Sequence, residues 1–207
     1  MSYSKIILAS GSPRRKELLA LTGLNFDIVP SNFNEYLDHD RPVTEIVKEL
    51  AMGKANDIAV KYPDAIVIGG DTLVTANGRQ LGKPKNEKEA ELMLADQCGK
   101  EVAIATGLAV VCKANNFNKC LAVTTRIKFK PYSARLVKEY LDTGDWKDKA
   151  GAWGVQSGAA SLMESIDGSY EGLIGLPTKE LLDILRELGI EGKAANLSPP
   201  IPTAKLS

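Results

Sequence analysis

The sequence holds one histidine and three cysteines, carries no surplus of either charge, and contains no long apolar run. Each shortage excludes something. His39 is set in the charged stretch LDHDRP, and side chains in such segments usually stay in solvent. A Ser–His–Asp or Cys–His arrangement therefore lacks its base. Cys98, Cys112 and Cys120 are odd in number and have no CxxC spacing. They make neither a disulfide framework nor, with a single histidine, a zinc site, and they read as buried thiols in a reducing compartment. Lys+Arg and Asp+Glu both number 26, which argues against nucleic acid or an anionic membrane as partner, because both select a basic excess. The first residues lack a signal-peptide core, and no run approaches the roughly 20 apolar residues of a membrane span. The expected location is the cytoplasm.

What remains is an ordinary globular composition: 207 residues, 44% hydrophobic and 25% charged, enough for one large domain with a proper core. SYSKIILAS reads as a short apolar strand, and a helix follows from Pro13 to about Thr22, stopped at Gly23. FDIVPS reads as a second strand. A helix from Val43 to about Lys61 carries an apolar stripe of Ile46, Val47, Leu50, Ala51, Ala55 and Ile58. Ala65 to Val74 (AIVIGGDTLV) is a continuous apolar strand, followed by the turn-rich NGRQLGKPKN and a helix from Glu87 to Asp96. EVAIATGLAVVCK and CLAVTTRIKFK flank Asn115-Asn116 as a hairpin. An amphipathic helix (SARLVKEYLDTG), a stretch dense in glycine and short strands, and a last helix (TKELLDILRELG) complete the chain. This alternation predicts an α/β fold, a mixed central sheet flanked by helices. Residues 1–191 are expected as a single domain and 192–207 as a flexible tail.

Several stretches suit chemistry. In SGSPRRKELL, Ser12 is placed as an N-cap and Pro13 at the first helical position. Arg14, Arg15 and Lys16 then put three cations in the first turn, where the helix dipole favours anions by roughly 0.3–1 kcal/mol each. Asp71 ends the run AIVIGG. It is placed either to bind a metal or activate water, or to occupy a strand-terminal turn that Gly69-Gly70 would allow. Lys54 points toward its helix's apolar stripe, so it either snorkels out or meets a buried anion. GRQLGKP is not a Walker A loop, because three residues separate the glycines and Pro84 stands where Ser or Thr should be. Lys83 there either contacts phosphate or is an exposed turn lysine. Gln156, in GAWGVQSGAA, either reads a base edge or belongs to a tight sheet corner. With no histidine base, carboxylates, lysines and arginines are left, a set suited to phosphate chemistry.

ASGSPRRKELL, GKA at Gly53, GGDTLV, LGKP, DKAGAWGVQSGAA and GSYEGLIGLP occur in an order that resembles the Maf family of nucleoside triphosphate pyrophosphatases, over nearly the whole chain to about Gly189. The resemblance implies a Maf/ITPase-like α/β fold of two lobes with a cleft, often dimeric. It implies hydrolysis of a nucleoside triphosphate to monophosphate and pyrophosphate with a divalent metal, Mg2+ or Mn2+. By the same resemblance Asp71 is the proton acceptor, Ser10, Arg14 and Arg15 bind phosphate, Lys54 and Lys83 are cleft lysines, and Glu35 joins Asp71 at the metal. Arg15, Thr72 and Gln156 match the branch acting on dTTP and UTP rather than on 7-methyl-GTP. The chain departs from the family pattern at Gly70, where Ala is usual, Cys98, where Ser is usual, and Trp153, where Tyr is usual. Trp153 lies close to Gln156 in sequence. A nucleotide-binding regulator of cell division without significant catalysis is the alternative, and the intact Asp71, Lys54 and Lys83 lean against it.

These roles explain the misplaced cations, since Arg14 and Arg15 would hold polyphosphate together with the helix start. On that reading, removing Arg15 should leave the free protein as stable or slightly more so, and Lys16 is a solvated surface charge.

Overall fold

The computed structural model describes residues 3–35, 41–76, 78–156 and 158–201. His39 lies outside the described residues, as do residues 202–207 of the expected tail. The elements are β1 (Ile6–Leu8), α1 (Pro13–Leu21), β2 (Asp27–Ile28), α2 (Val43–Ala59), β3 (Ile66–Ala76), β4 (Arg79–Gln80), α3 (Glu87–Gln97), β5 (Glu101–Cys112), β6 (Phe117–Phe129), α4 (Ala134–Asp142), β7 (Met163–Asp167), α5 (Tyr170–Ile174) and α6 (Thr178–Arg186). The strands form a mixed sheet in the order β2-β1-β3-β5-β6-β7, with β4 paired to β3. β1 runs parallel to β2 and β3, whereas β4 and β7 are antiparallel to β3 and β6. The expected α/β class is the class observed, and the helices and long strands lie where periodicity put them.

The chain divides into two compact units. One comprises Met1–Thr72, Ala105–Val123 and Glu171–Leu197, the other Leu73–Ile104, Thr124–Tyr170 and Ser198–Ser207. In the first, α2 lies on the sheet through small residues. Ala51, Ala55, Ile58 and Ala59 pack with Ile7, Ala9, Val67, Ala109 and Val111. Two glycines let the helix backbone come down onto the strands. A Cβ on Gly69 would stand 2.2 Å from the Ala51 carbonyl oxygen, and one on Gly107 would stand 2.0 Å from that of Val47. Residues 192–197 also belong to this unit. The Lys193 N–H donates to the Thr22 carbonyl at 2.9 Å and the Leu197 N–H to Glu171 Oε1 at 3.0 Å.

In the second unit α3 packs against α4 and against a 3-10 turn at Ala150–Ala152. Asn86 caps α3 and Ser133 caps α4, each side chain accepting a backbone N–H of the first turn. The buried side of α4 is Val137, Tyr140 and Leu141. No helix among the described residues is long and apolar enough to cross a membrane.

Five local expectations are corrected. Ser12 sits at the N-cap position of α1 but its side chain makes no cap bond; its backbone N–H donates to Ser10 Oγ instead. β2 is two residues, shorter than FDIVPS. The glycine-dense stretch contains a short helix, α5, besides β7. Asp71 lies in the middle of the 11-residue β3 and not at its end, because Gly69 serves the close approach of α2 rather than a turn. Of the thiols only Cys112 is buried; Cys98 and Cys120 are half-buried, and all three are free.

Candidate active site

β3 presents different residues to its two faces, since side chains alternate along a strand. Gly69 and Asp71 share the face on which α2 lies. Lys54, on α2, donates from Nζ to Asp71 Oδ1 at 2.6 Å, so the lysine that pointed into an apolar stripe has found its buried anion. The same Nζ is 2.7 Å from Glu35 Oε1. Asp71 is 6% exposed. Burial pushes its pKa above the ordinary 3.8, while Lys54 and then Arg15 pull it down and Glu35 adds to the rise.

Glu35 reaches Lys54 because its loop is pinned to α2. Ser31 Oγ and the Asn32 N–H both donate to Asp57 Oδ2 at 2.9 Å, and the Phe33 N–H donates to Ser31 Oγ at 2.9 Å. The tip of the Phe33 ring rests on Gly53, where a Cβ would meet Cζ at 2.3 Å. The glycine of GKA is therefore a seat for an aromatic ring, one residue before the lysine.

Gly70 and Thr72 occupy the opposite face, and Arg15 from α1 reaches it. Its Nε donates to the Gly175 carbonyl at 2.9 Å, Nη1 to Ser10 Oγ at 3.2 Å and Nη2 to Thr72 Oγ1 at 3.1 Å. Burial lowers the Arg15 pKa and Arg14 adds to this, with Asp71 and Glu35 opposing. Arg14 and Lys16 are exposed. The N–H groups of Arg14 and Arg15 open α1 and have no intrahelical acceptor. Ser10, Arg15 and Thr72, and Asp71, Lys54 and Glu35, thus stand in one unit as two hydrogen-bonded sets on the two faces of β3.

Lys83 and Gln156 belong to the other unit, and both are exposed. Their loops are held by one buried amide. Gln97 Nε2 donates to the Gly151 carbonyl at 2.8 Å, its Oε1 accepts from Trp153 Nε1 at 2.7 Å, and the Gly151 N–H donates to the Gly82 carbonyl at 2.9 Å. Trp153 also meets Phe129 edge to face, with ring centroids 5.6 Å apart. In this chain the indole is a clamp on the segment before Gln156.

A family model described as Maf-like protein matches residues 5–188. The chain belongs to the Maf family. Among its relatives, a protein of Pyrococcus furiosus is 41% identical over 187 residues, covering 89% of this chain and 95% of the relative. One of Bacillus pumilus is 40% identical over 187 residues, covering 90% and 98%. One of Geotalea uraniireducens is 41% identical over 186 residues, covering 90% and 96%. All three are named dTTP/UTP pyrophosphatase.

Every Maf residue assigned above by resemblance falls inside the matched segment. Sequence reasoning missed four neighbours. Thr106 donates to the Gly172 carbonyl at 2.8 Å and stands 3.0 Å from Thr72 Oγ1. Asp57 and Phe33 hold the Glu35 loop, and Gln97 holds the loops of Lys83 and Gln156. Only Thr106 had a signal, a hydroxyl in the otherwise apolar run of a buried strand.

Proposed function

We propose that this protein hydrolyses dTTP and UTP to the monophosphate and pyrophosphate, in a cytoplasmic nucleotide pool, with Asp71 as general base. The observation that carries the reading is the buried Asp71 carboxylate on Lys54, next to an arginine held by two hydroxyls. Water attacks the α-phosphorus in line, and Asp71 takes its proton; a carboxylate whose pKa burial has raised is a better acceptor than one in solvent. Lys54 keeps Asp71 ionised enough to act. Arg15 and Arg14, with the start of α1 and the Ser10 hydroxyl, offset charge on the triphosphate. Lys83 acts as a point charge on phosphate, and Thr72 and Gln156 contact the base.

The donor set fits a hard divalent cation. The Glu35 and Asp71 carboxylates converge on one nitrogen, Lys54 Nζ, at 2.7 and 2.6 Å, and one or two carboxylates are what Mg2+ takes from a protein when substrate phosphates complete its shell. Glu35 and Asp71 would hold Mg2+ or Mn2+, which supplies charge neutralisation and a more acidic water when bound.

Asp71→Asn tests the reading. Pyrophosphate release from dTTP and UTP should fall by about 10²–10⁴-fold, with an unchanged circular dichroism spectrum. Near wild-type turnover by the folded variant would remove Asp71 from the reaction.

A further inference from the structure

The hydroxyls around Arg15 have proton positions that their partners dictate. Thr106 is 1% exposed, and its Oγ1 lies 2.8 Å from the Gly172 carbonyl, an atom that can only accept. The single Thr106 proton is therefore committed to Gly172. Thr106 Oγ1 is also 3.0 Å from Thr72 Oγ1, so in this second bond Thr72 must be the donor. Thr72 Oγ1 in turn accepts from Arg15 Nη2 at 3.1 Å. With its proton and one lone pair engaged, Thr72 offers a ligand one lone pair and nothing else.

Ser10, on the other side of the same guanidinium, is the reverse. Its Oγ accepts from the Ser12 N–H and from Arg15 Nη1, both at 3.2 Å. Both lone pairs are engaged and, among the described residues, the proton is left over. One hydroxyl can only donate to a ligand and the other can only accept.

We infer that Thr106 is a specificity-determining positioning residue: by holding the Thr72 proton it makes Thr72 an obligate acceptor, which then reads the N3–H of uracil or thymine. The inference rests on the proposal that dTTP and UTP are the substrates. Once joined to the sugar through N1, each of these bases has a single N–H donor, at N3, whereas cytosine has a lone pair there. Thr72 facing cytosine would set lone pair against lone pair and leave both unsatisfied. A threonine free to turn its hydroxyl would meet either base. Ser10, a donor only, suits a phosphate oxygen, so hydroxyl polarity separates the base end of the substrate from its phosphate end.

The test compares Thr106→Val, which keeps the shape and removes the acceptor for the Thr72 proton, with Thr106→Ser, which keeps the hydroxyl. Pyrophosphate release is measured on the full chain with magnesium and UTP, dTTP or CTP, and melting temperature is recorded for each variant. Wild type should prefer UTP to CTP. Thr106→Val should lower the UTP:CTP ratio of kcat/KM by about tenfold or more, chiefly through KM, and Thr106→Ser should restore it. If Thr106→Val slows all three substrates by one common factor, Thr106 is merely structural or Thr72 reads a sugar hydroxyl, and the inference is overturned. A wild-type enzyme indifferent between UTP and CTP would overturn the substrate reading and the inference with it. Should Thr106→Val not fold, Thr106→Ala removes the same acceptor with less crowding beside Gly172 and is judged by the same ratio.

Discussion

Arg14 and Arg15 are adjacent, equally charged and in one helical turn, yet they have different surroundings. Arg14 is exposed. Arg15 is half-buried and bonded to Ser10, Thr72 and the Gly175 carbonyl. Sequence logic weighed only the dipole, about 0.3–1 kcal/mol against each cation, and so expected removal of Arg15 to be harmless to the free protein. Three hydrogen bonds from a charged donor outweigh that. Arg15→Ala should destabilise the fold by about 2–3 kcal/mol, since it takes the donor from the buried Gly175 carbonyl and one partner from each of two hydroxyls, whereas Arg14→Ala should stay within about 0.5 kcal/mol. Urea denaturation of the two variants checks this; equal midpoints would mean that the Arg15 bonds contribute nothing. The inward direction of Arg15 was legible after all, because Leu18 and Leu19, both buried, stand three and four residues further along α1.

Among the elements, α2 decides most of the site, and its fit depends on residues that periodicity overlooks. The apolar stripe was readable from spacing alone, and it put Lys54 on the correct side. The glycines were not readable. Gly69 looked like turn chemistry and is a contact surface for the Ala51 carbonyl, which also sets Lys54 against Asp71 two residues on along the same strand face. Asp57 was missed because its acceptors serve a loop 25 residues earlier, a tertiary relation with no local signature. Its pKa lies below the ordinary 3.8, first through the Asn32 N–H, then through Lys61 and Ser31. A depressed carboxylate favours the folded state above its unfolded pKa and loses that contribution as pH falls through the folded value. The loop that carries Glu35 should therefore loosen in acid. Melting temperatures of wild type and Asp57→Ala should differ at about pH 6 and converge by about pH 2. A gap that persists undiminished at the acidic end would show that Asp57 acts without its charge.

At the scale of the whole molecule, 26 acidic and 26 basic residues cancel, and the sequence pI is about 6.6. No long-range positive field draws a polyanion in, so attraction must come from the few cations around Ser10 and Asp71. The class, the succession of helices and strands along the chain and the family were legible because they follow from periodicity and from motifs contiguous in sequence. The hydroxyl chain from Arg15 to Gly172 was not, since its members come from α1, β3, β5 and α5. Binding at that cluster has a global consequence, because a ligand that prefers the folded chain stabilises it by mass action. The Asp71→Asn variant, which should bind without turnover, makes the measurement clean. With UTP at about 100 times its dissociation constant the gain is about 2.7 kcal/mol, and for a chain of this size the melting temperature should rise by about 5–10 °C. CTP at the same concentration should raise it less, if Thr72 rejects a base without an N3–H. Equal shifts with both would leave the nucleotide site standing and remove Thr72 as its reader of the base, whereas no shift with either would mean that the cluster around Arg15 holds no nucleotide.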